Sequence, residues 1–211
     1  MTAGLFVTGT DTNVGKTVLS ALLVAALDGI YWKPIQTGAV EGTDRQTVMQ
    51  FAEIPAERAP AEAYVFDPPV SPHLAAEAAG VAICFDRIRP PISVDNRPLI
   101  AEGAGGIMVP INDRQTMLDL ARHLALPVVV ASRTTLGTIN HTVLTVRALR
   151  GAGLDFRGVV MIGVPNRDNE RSIEKYAPAP IIGRIPWLAD INRSALRSVF
   201  DAEFDRKAFE F

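Results

Sequence analysis

The sequence predicts an α/β fold in which a mostly parallel sheet is covered by helices on both faces. Short runs rich in Val, Ile and Leu recur along the chain, and they are apolar at consecutive rather than alternate positions. Such runs are typical of strands buried on both faces. Helical patterns lie between most of them, and this alternation is typical of parallel sheets. The predicted strands are 5–8, 30–33, 99–102, 127–131, 158–162 and 181–185, and the predicted helices are 18–27, 44–52, 117–124, 138–150 and 169–176.

A glycine-rich segment, GTDTNVGKT from Gly9 to Thr17, joins the first predicted strand to the first predicted helix. Its glycines let backbone N–H groups point inward, and the helix N-terminus adds about half a positive charge, so the segment suits phosphate. Lys16 can reach the β- and γ-phosphates, and the Thr17 hydroxyl is a hard oxygen ligand suited to Mg²⁺. Five residues separate Gly9 from Gly15, against four in the standard pattern. The strand–loop–helix context nevertheless favours a phosphate-binding loop (P-loop) over a plain turn, and hence a three-layer P-loop NTPase fold.

Composition and charge indicate one domain without a nucleic-acid or membrane partner. The 211 residues suit a single domain over residues 1–211, long enough for a sizeable core. A net charge of −2 gives no reason to expect nucleic acid or an anionic membrane. Cys84 is the single cysteine, which fits a reducing compartment. The P-loop begins at Gly9, leaving no room for a signal peptide, and no apolar run approaches the roughly 18 residues of a membrane span. We therefore expect a cytoplasmic protein.

Polar or glycine-rich sequence follows several predicted strands, and ligands bind beyond such strand ends in open α/β sheets. Lys33 ends the second strand, where an ammonium can clamp developing phosphoryl charge or a substrate carboxylate; the alternative is a snorkelling surface lysine. Glu102 ends the third strand before three glycines, where it suits a second Mg²⁺ ligand; the alternative is a strand-terminal Glu beside a turn. These strand ends should converge on one cleft. The Pro- and Gly-rich stretch 55–98 should be loop-rich and cover a site.

Asp44 has two interpretations. Its local sequence, EGTDR, is typical of a helix N-cap, because an Asp there satisfies free backbone N–H groups. Spacing alone favours this interpretation over a metal ligand. The metal-ligand interpretation depends on the wider set of residues around the P-loop.

Several motifs occur in a fixed order and together resemble the dethiobiotin synthetase family. They are GTDTNVGKT, YWKPIQTG, SPHLAAE, EGAGGIMVPI, LGTINHTVLT and GRIPWL, and they run from about residue 4 to residue 188. The longer P-loop spacing is the form that this family uses. The resemblance implies a single P-loop ATP-dependent carboxylase domain that acts in biotin synthesis. CO₂ and 7,8-diaminononanoate give a carbamate, ATP converts it to a carbamic-phosphoric anhydride, and the second amine closes the ureido ring.

The resemblance also implies roles for individual residues. Lys16, Lys33 and Thr10 would be catalytic, Lys33 by stabilising the carbamate and the transferring phosphoryl group. Thr17, Asp44 and Glu102 would surround Mg²⁺. The residues implied to bind ATP are Asn13, Val14, Gly15, Lys16, Thr17, Val18, Asp44, Glu102, Gly103, Ala104, Gly105, Ile162, Gly163, Pro186, Trp187 and Leu188. The residues implied to bind the substrate are Thr37, Ser71, Pro72 and Gly105, with Gly137 and Asn140 contributed by the other subunit of a homodimer with shared sites.

The chain departs from the family in three places. Many members have an acidic residue where this P-loop has Asn13. Many have an Asn that reads adenine where this chain has Ile162 and Gly163, so base recognition falls to backbone groups or to Asn166. The tail beyond residue 190 matches no family motif. The apolar residues of that tail fall on one helical face, which should dock onto the body or a partner subunit; they are Leu196, Val199, Phe200 and Phe204.

The main alternative function is a switch ATPase of the related dimeric P-loop class. Such proteins have a second lysine early in the P-loop, near the position of Thr10, and often a basic amphipathic tail. This chain has neither. An amidotransferase-type ligase would need a glutaminase nucleophile that Cys84 alone cannot supply, and a binding module without turnover would not need Lys33 and Glu102 beside the loop.

Overall fold

The computed structural model describes residues 3–91 and 95–211. The strands are β1 (Gly4–Gly9), β2 (Ile30–Trp32), β3 (Ile35–Thr37), β4 (Tyr64–Phe66), β5 (Leu99–Gly106), β6 (Val128–Arg133), β7 (Phe156–Ile162) and β8 (Ile181–Ile185). The α-helices are α1 (Lys16–Leu27), α2 (Asp44–Ala52), α3 (Pro72–Ala78), α4 (Met117–Leu124), α5 (Thr138–Gly151), α6 (Arg167–Tyr176) and α7 (Arg193–Glu203). Short 3₁₀ helices occur at Ala39–Glu41, Ala56–Arg58, Phe85–Arg87 and Arg206–Phe209.

The central sheet has six strands in the order β2-β5-β1-β6-β7-β8, and neighbouring strands pair in parallel. A separate parallel pair, β3 and β4, lies outside it. The predicted α/β fold with a mostly parallel central sheet is confirmed. The P-loop leaves the sheet at β1, which lies between β5 and β6, so its strand end is flanked on both sides.

Helices cover both faces because the strands are apolar at consecutive positions. In β1, Phe6 belongs to one buried cluster, which also contains residues of α4, α5 and α6. Leu5 and Val7 belong to a second cluster, which contains residues of α1, α2 and α7. Successive strand side chains point to opposite faces, so each apolar run supplies both clusters. The three-layer arrangement follows directly.

The C-terminal tail forms α7 and packs onto the body of the same chain. Leu196, Val199 and Phe200 are buried beside α1, and Phe204 joins them just after the helix ends. Phe209 completes an aromatic cluster with Phe200 and Phe204, with ring centroids between 5.2 and 5.7 Å apart. The expected docking of this apolar face is confirmed, and the body of the chain is what it contacts.

The Pro- and Gly-rich stretch 55–98 contains more regular structure than the sequence indicated. It includes β4 and α3 as well as loops, and residues 92–94 lie outside the described residues. The segment from Pro69 to Pro72 borders the cleft described below, as expected for a stretch that covers a site. Within the described ranges, no helix is both long and apolar enough to cross a membrane.

Candidate active site

The P-loop wraps from the end of β1 to the start of α1, and glycine is required where it turns. Gly15 has φ of 95° and directly precedes Lys16, the first residue of α1. A Cβ at Gly15 would lie 2.8 Å from Cδ1 of Ile162, so the loop rests against the end of β7. Among the described residues, no side chain caps the N-terminus of α1. Its free N–H groups and its dipole suit an anion in the cleft.

Lys16 is buried within the P-loop. Its Nζ donates to the backbone carbonyl of Asp11 at 2.9 Å. Burial lowers the pKa of Lys16 from 10.5 to about 8, although the Glu102 carboxylate opposes this shift. A neutral carbonyl is a weaker partner for a buried ammonium than an anionic oxygen. A phosphate oxygen in the loop would therefore be a better partner for the Lys16 ammonium than the Asp11 carbonyl.

Lys33, Asp44 and Glu102 form an ionic cluster beside the P-loop, in which Lys33 and Glu102 are buried and Asp44 is partly buried. Lys33 follows β2, Asp44 begins α2 and Glu102 lies in β5. The Nζ of Lys33 lies 2.7 Å from Oδ2 of Asp44 and 2.9 Å from Oε1 of Glu102. Burial alone would lower the pKa of Lys33, but the two carboxylates raise it above its ordinary value. Burial alone would raise the pKa of Asp44, but Lys33 and the Thr17 hydroxyl hold it below its ordinary value.

Three oxygens in this cluster are of the kind that Mg²⁺ prefers. The Thr17 hydroxyl donates to Oδ1 of Asp44 at 2.6 Å and lies 3.3 Å from Oε1 of Glu102. One hydroxyl and two carboxylates are hard donors that fit a divalent cation beside a nucleotide, where phosphate and water complete the coordination. These residues therefore fit Mg²⁺.

The local interpretation of Asp44 as a helix N-cap is wrong, because Thr43 caps α2. The Thr43 hydroxyl accepts from the backbone N–H of Gln46 at 3.2 Å, and the Gln46 side chain accepts from the backbone N–H of Thr43 at 3.0 Å. This reciprocal pair is a capping box. The carboxylate of Asp44 is thereby left for Lys33 and Thr17.

Sequence reasoning missed two hydroxyl groups that contact Glu102. The Ser20 hydroxyl donates to Oε2 of Glu102 at 2.6 Å, and the Tyr31 hydroxyl lies 3.2 Å from the same oxygen. A signal for each was present. Ser20 lies one helical turn after Thr17 in an otherwise apolar helix, and Tyr31 lies two strand positions before Lys33. Each therefore faces the same way as a predicted site residue.

A cleft of about 990 Å³ opens over this cluster and the P-loop. Its size is at the upper end of ligand pockets, which measure roughly 300–1,000 Å³. The predicted residues that line it are Asn13, Gly15, Lys16, Thr17, Val18, Lys33, Thr37, Asp44, Ser71, Pro72, Glu102, Ala104 and Gly105. Residues not predicted also line it, among them Thr12, Gln36, Glu41, Gln46 and Val109. The cleft thus brings together the P-loop, the ionic cluster and the predicted substrate residues of the same chain.

Other predicted site residues lie outside the cleft lining. Thr10 donates its backbone N–H to the carbonyl of Ala131 at 3.0 Å, and Val14 is buried in the core. The carbonyl of Gly103 lies 3.4 Å from Nζ of Lys33. Thr10 and Val14 thus belong to the P-loop without lining the cleft, and Gly103 contacts the ionic cluster through its backbone.

The predicted base-side residues gather at the ends of β7 and β8. The backbone N–H of Gly163 donates to the carbonyl of Ile185 at 2.9 Å. Gly163 and Pro186 border a small cavity of about 50 Å³. Trp187 is 82% exposed. The contact between Ile162 and Gly15 links this group to the P-loop. Asn166 instead caps α6, where its side chain accepts from the backbone N–H of Asn169.

Gly137 and Asn140 lie at the N-terminus of α5 and are exposed. They do not line the cleft of their own chain. Leu136 beside them is fully exposed.

Comparison with known proteins identifies the family. A family model described as an AAA domain matches residues 3–195. The chain is 47% identical to the ATP-dependent dethiobiotin synthetase BioD of Nitrobacter hamburgensis over 200 residues, which cover 95% of this chain and 93% of that relative. It is 46% identical to the protein of the same name in a strain of Rhodopseudomonas palustris, with 99% of this chain and 98% of the relative covered. The chain belongs to the dethiobiotin synthetase family.

As a member of the dethiobiotin synthetase family, the chain is an enzyme. The chain is also 46% identical to the biotin biosynthesis bifunctional protein BioCD of Bordetella avium over 92% of this chain, which spans 41% of that protein. Among solved structures, a ParA family ATPase from Chlorobium tepidum aligns with a TM-score of 0.49 and 12% identity over 96% of this chain and 93% of that one.

Proposed function

We propose that the chain is an ATP- and Mg²⁺-dependent dethiobiotin synthetase that carboxylates 7,8-diaminononanoate and closes the ureido ring in the biotin pathway. The observation that carries this proposal is the ionic cluster beside the P-loop. Lys33 contributes an ammonium at the end of β2, held 2.7 and 2.9 Å from two carboxylates that border the nucleotide loop. A cation at this place suits a reaction in which a carbamate oxygen and a phosphoryl group both carry negative charge.

The proposed reaction has three steps. One amine of the substrate attacks CO₂, and the new C–N bond with loss of a proton gives a carbamate. A carbamate oxygen attacks the γ-phosphorus of ATP and displaces ADP, giving a mixed anhydride. The second amine attacks the carbonyl carbon, loses a proton and expels inorganic phosphate. Because both amines belong to one bound molecule, ring closure gains from proximity.

Residues of the cleft, together with Thr10 of the adjoining P-loop, would carry out these steps. Lys16 and the N-terminus of α1 would bind the β- and γ-phosphates. Lys33 would stabilise the carbamate and the transferring phosphoryl group, and Thr10 and Thr37 would hydrogen-bond the carbamate or the amine. Thr17, Asp44 and Glu102 would hold Mg²⁺, which when bound neutralises phosphate charge.

Nucleotide and substrate recognition would extend beyond the cleft of one chain. Ile162, Gly163 and the turn from Pro186 to Leu188 would border the base of ATP, through backbone groups in place of an adenine-reading Asn. Ser71, Pro72 and Gly105 would contact the substrate. Gly137 and Asn140 are exposed away from the cleft of their own chain, which supports a homodimer in which they complete the partner's site. We place this enzyme in the cytoplasm.

The test is the release of inorganic phosphate from Mg–ATP with and without each co-substrate. We expect release only when both diaminononanoate and bicarbonate are present, with dethiobiotin formed in equal amount. Lys16→Ala is the matched control and should lower the rate about 10²–10³-fold, because a preorganised phosphate partner is lost. Phosphate release without diaminononanoate would instead indicate the switch ATPase function.

A further inference from the structure

The two oxygens of the Glu102 carboxylate have different surroundings. Oε1 faces the cleft, 2.9 Å from Nζ of Lys33 and 3.3 Å from the Thr17 hydroxyl. Oε2 is turned into the protein, where Ser20 donates at 2.6 Å and the Tyr31 hydroxyl lies at 3.2 Å. The carboxylate therefore has one oxygen directed to Lys33 and Thr17 and one directed to two buried hydroxyls.

The two hydroxyls come from rigid elements on either side of Glu102. Ser20 and Tyr31 are both 0% exposed, Ser20 in α1 and Tyr31 in β2. A polar group buried this deeply is costly unless it is hydrogen-bonded, and Glu102 is the partner of both hydroxyls. A phenolic hydroxyl is protonated at neutral pH, so Tyr31 can donate to the Glu102 carboxylate from this position.

We propose that Ser20 and Tyr31 are positioning residues that fix the plane of the Glu102 carboxylate, so that Oε1 remains directed to the divalent cation and to Lys33. This inference rests on the proposed role of Glu102 as a metal ligand. Without the two hydroxyls, the carboxylate could rotate about the terminal bond of the Glu102 side chain. Neither oxygen would then keep a fixed direction toward the cleft. Partners that orient a metal-ligating side chain typically change metal affinity or activity about 10–100-fold.

The primary experiment measures Mn²⁺ binding by electron paramagnetic resonance in the presence of a non-hydrolysable ATP analogue. We expect Ser20→Ala and Tyr31→Phe each to weaken Mn²⁺ binding about tenfold. Ser20→Thr, which keeps the hydroxyl, should stay near wild type. In steady-state assays the Mg²⁺ concentration for half-maximal rate should rise in both oxygen-deleting variants, while kcat at saturating Mg²⁺ changes much less.

A matched control separates positioning from a general loss of buried polar contacts. Ser132 is also 0% exposed, and its hydroxyl contacts Thr138 and Thr142 at 2.8 Å, away from Glu102. Ser132→Ala removes the same atom from the same kind of environment and should leave Mn²⁺ binding unchanged. Equal weakening in Ser132→Ala and Ser20→Ala would overturn the proposal, as would wild-type Mn²⁺ binding in Ser20→Ala.

A double-mutant cycle tests whether Ser20 acts through Glu102. In a Glu102→Gln background, Ser20→Ala should have little further effect on Mn²⁺ binding, because the oriented group is already changed. An effect of the same size as in wild type would contradict the proposal. The metal measurement needs no diaminononanoate, so failure of the proposed synthetase reaction and failure of this inference give separate results.

Discussion

Lys33 neutralises one buried and one partly buried carboxylate that would otherwise repel each other. Its side chain is 5% exposed, and those of Asp44 and Glu102 are 29% and 0% exposed. Removing one partner of such a cluster leaves uncompensated charge, whereas the cluster itself adds little net stability. The same two carboxylates are the proposed ligands of Mg²⁺. We expect a bound divalent cation to neutralise the two carboxylates in part. The Lys33 ammonium would then be available to the substrate.

Lys33→Ala should therefore spare nucleotide affinity and reduce kcat strongly. The anionic partners of Lys33 in the reaction arise only when the carbamate and the transition state form, and groups that act at that stage change kcat rather than uniform binding. Titration calorimetry with ATP and Mg²⁺, together with steady-state kinetics, measures the two effects. Lys16→Ala is the contrasting variant, because it should also weaken nucleotide binding. A Lys33→Ala protein that loses ATP affinity and keeps kcat would assign Lys33 to nucleotide binding.

Sequence reasoning located the principal residues of the candidate site but not the groups that orient them. Lys33 and Glu102 could be found because each directly follows an apolar run in the sequence, although Glu102 lies within β5 rather than at its end. Ser20 and Tyr31 lie inside apolar runs, where a hydroxyl looks like a tolerated core residue. Their function depends on the placement of α1 and β2 on either side of Glu102, which spacing along the chain does not contain.

At the N-terminus of helix α2, one residue caps the helix and the next contributes to the ionic cluster. Thr43 forms the capping box with Gln46, and Asp44 directs its carboxylate to Lys33 and Thr17. The cap satisfies backbone groups at the helix end, and the contacts of Asp44 with Lys33 and Thr17 do not involve the Thr43 side chain. The backbone N–H of Asp44 also donates to the Gln36 side chain at 3.1 Å, which ties this helix to β3.

Paired variants at these positions should give opposite results. Thr43→Ala should lower the free energy of unfolding by about 1 kcal/mol through loss of the cap and leave the Mg²⁺ requirement near wild type. Asp44→Asn should raise the Mg²⁺ concentration for half-maximal activity, because it removes a negative donor from a hard-cation site. Denaturant unfolding and Mg²⁺ titration of the rate measure the two quantities. An unchanged Mg²⁺ requirement in Asp44→Asn would remove Asp44 from the proposed metal site.

At the level of elements, long apolar runs were predictable and short elements were not. Each of the six strands of the central sheet overlaps a predicted strand, although β5 continues to Gly106, four residues beyond its predicted end. The strands β3 and β4, with three residues each, were not predicted. Three residues provide only one alternation, as in Tyr64 and Phe66 buried on either side of exposed Val65. Helix α3 begins at Pro72 within a Pro-rich stretch, so local composition favoured a loop, and tertiary packing decided otherwise.

At the scale of the whole molecule, the order of the sheet divides the candidate site into two regions. The ionic cluster lies on the side of β5 and β2, and the predicted base-side residues lie on the side of β7 and β8. The P-loop leaves β1 between them. The Thr17 hydroxyl, which follows the loop, donates to Asp44 of the cluster, and Gly15 rests against Ile162. A nucleotide extended across the loop would place its phosphates and its base on opposite sides.

The exposed N-terminus of α5 carries predicted substrate residues that do not line the cleft of their own chain. Asn140 and Gly137 are exposed there, and Leu136 and Leu144 add exposed apolar surface. In the proposed dimer, Asn140 enters the cleft of the partner subunit. Each active site then combines Lys33 of one subunit with Asn140 of the other.

Mixing two inactive variants tests this shared site. Suppose that Lys33→Ala and Asn140→Ala are each nearly inactive, and that the two proteins are mixed, unfolded and refolded together. A mixed dimer would contain one doubly damaged site and one intact site. Random pairing makes about half of the dimers mixed, so activity should recover to about a quarter of the wild-type value under two-fold symmetry. If Asn140 served the cleft of its own chain, every site would remain damaged. The absence of recovery, with dimers confirmed by light scattering, would therefore exclude the shared site.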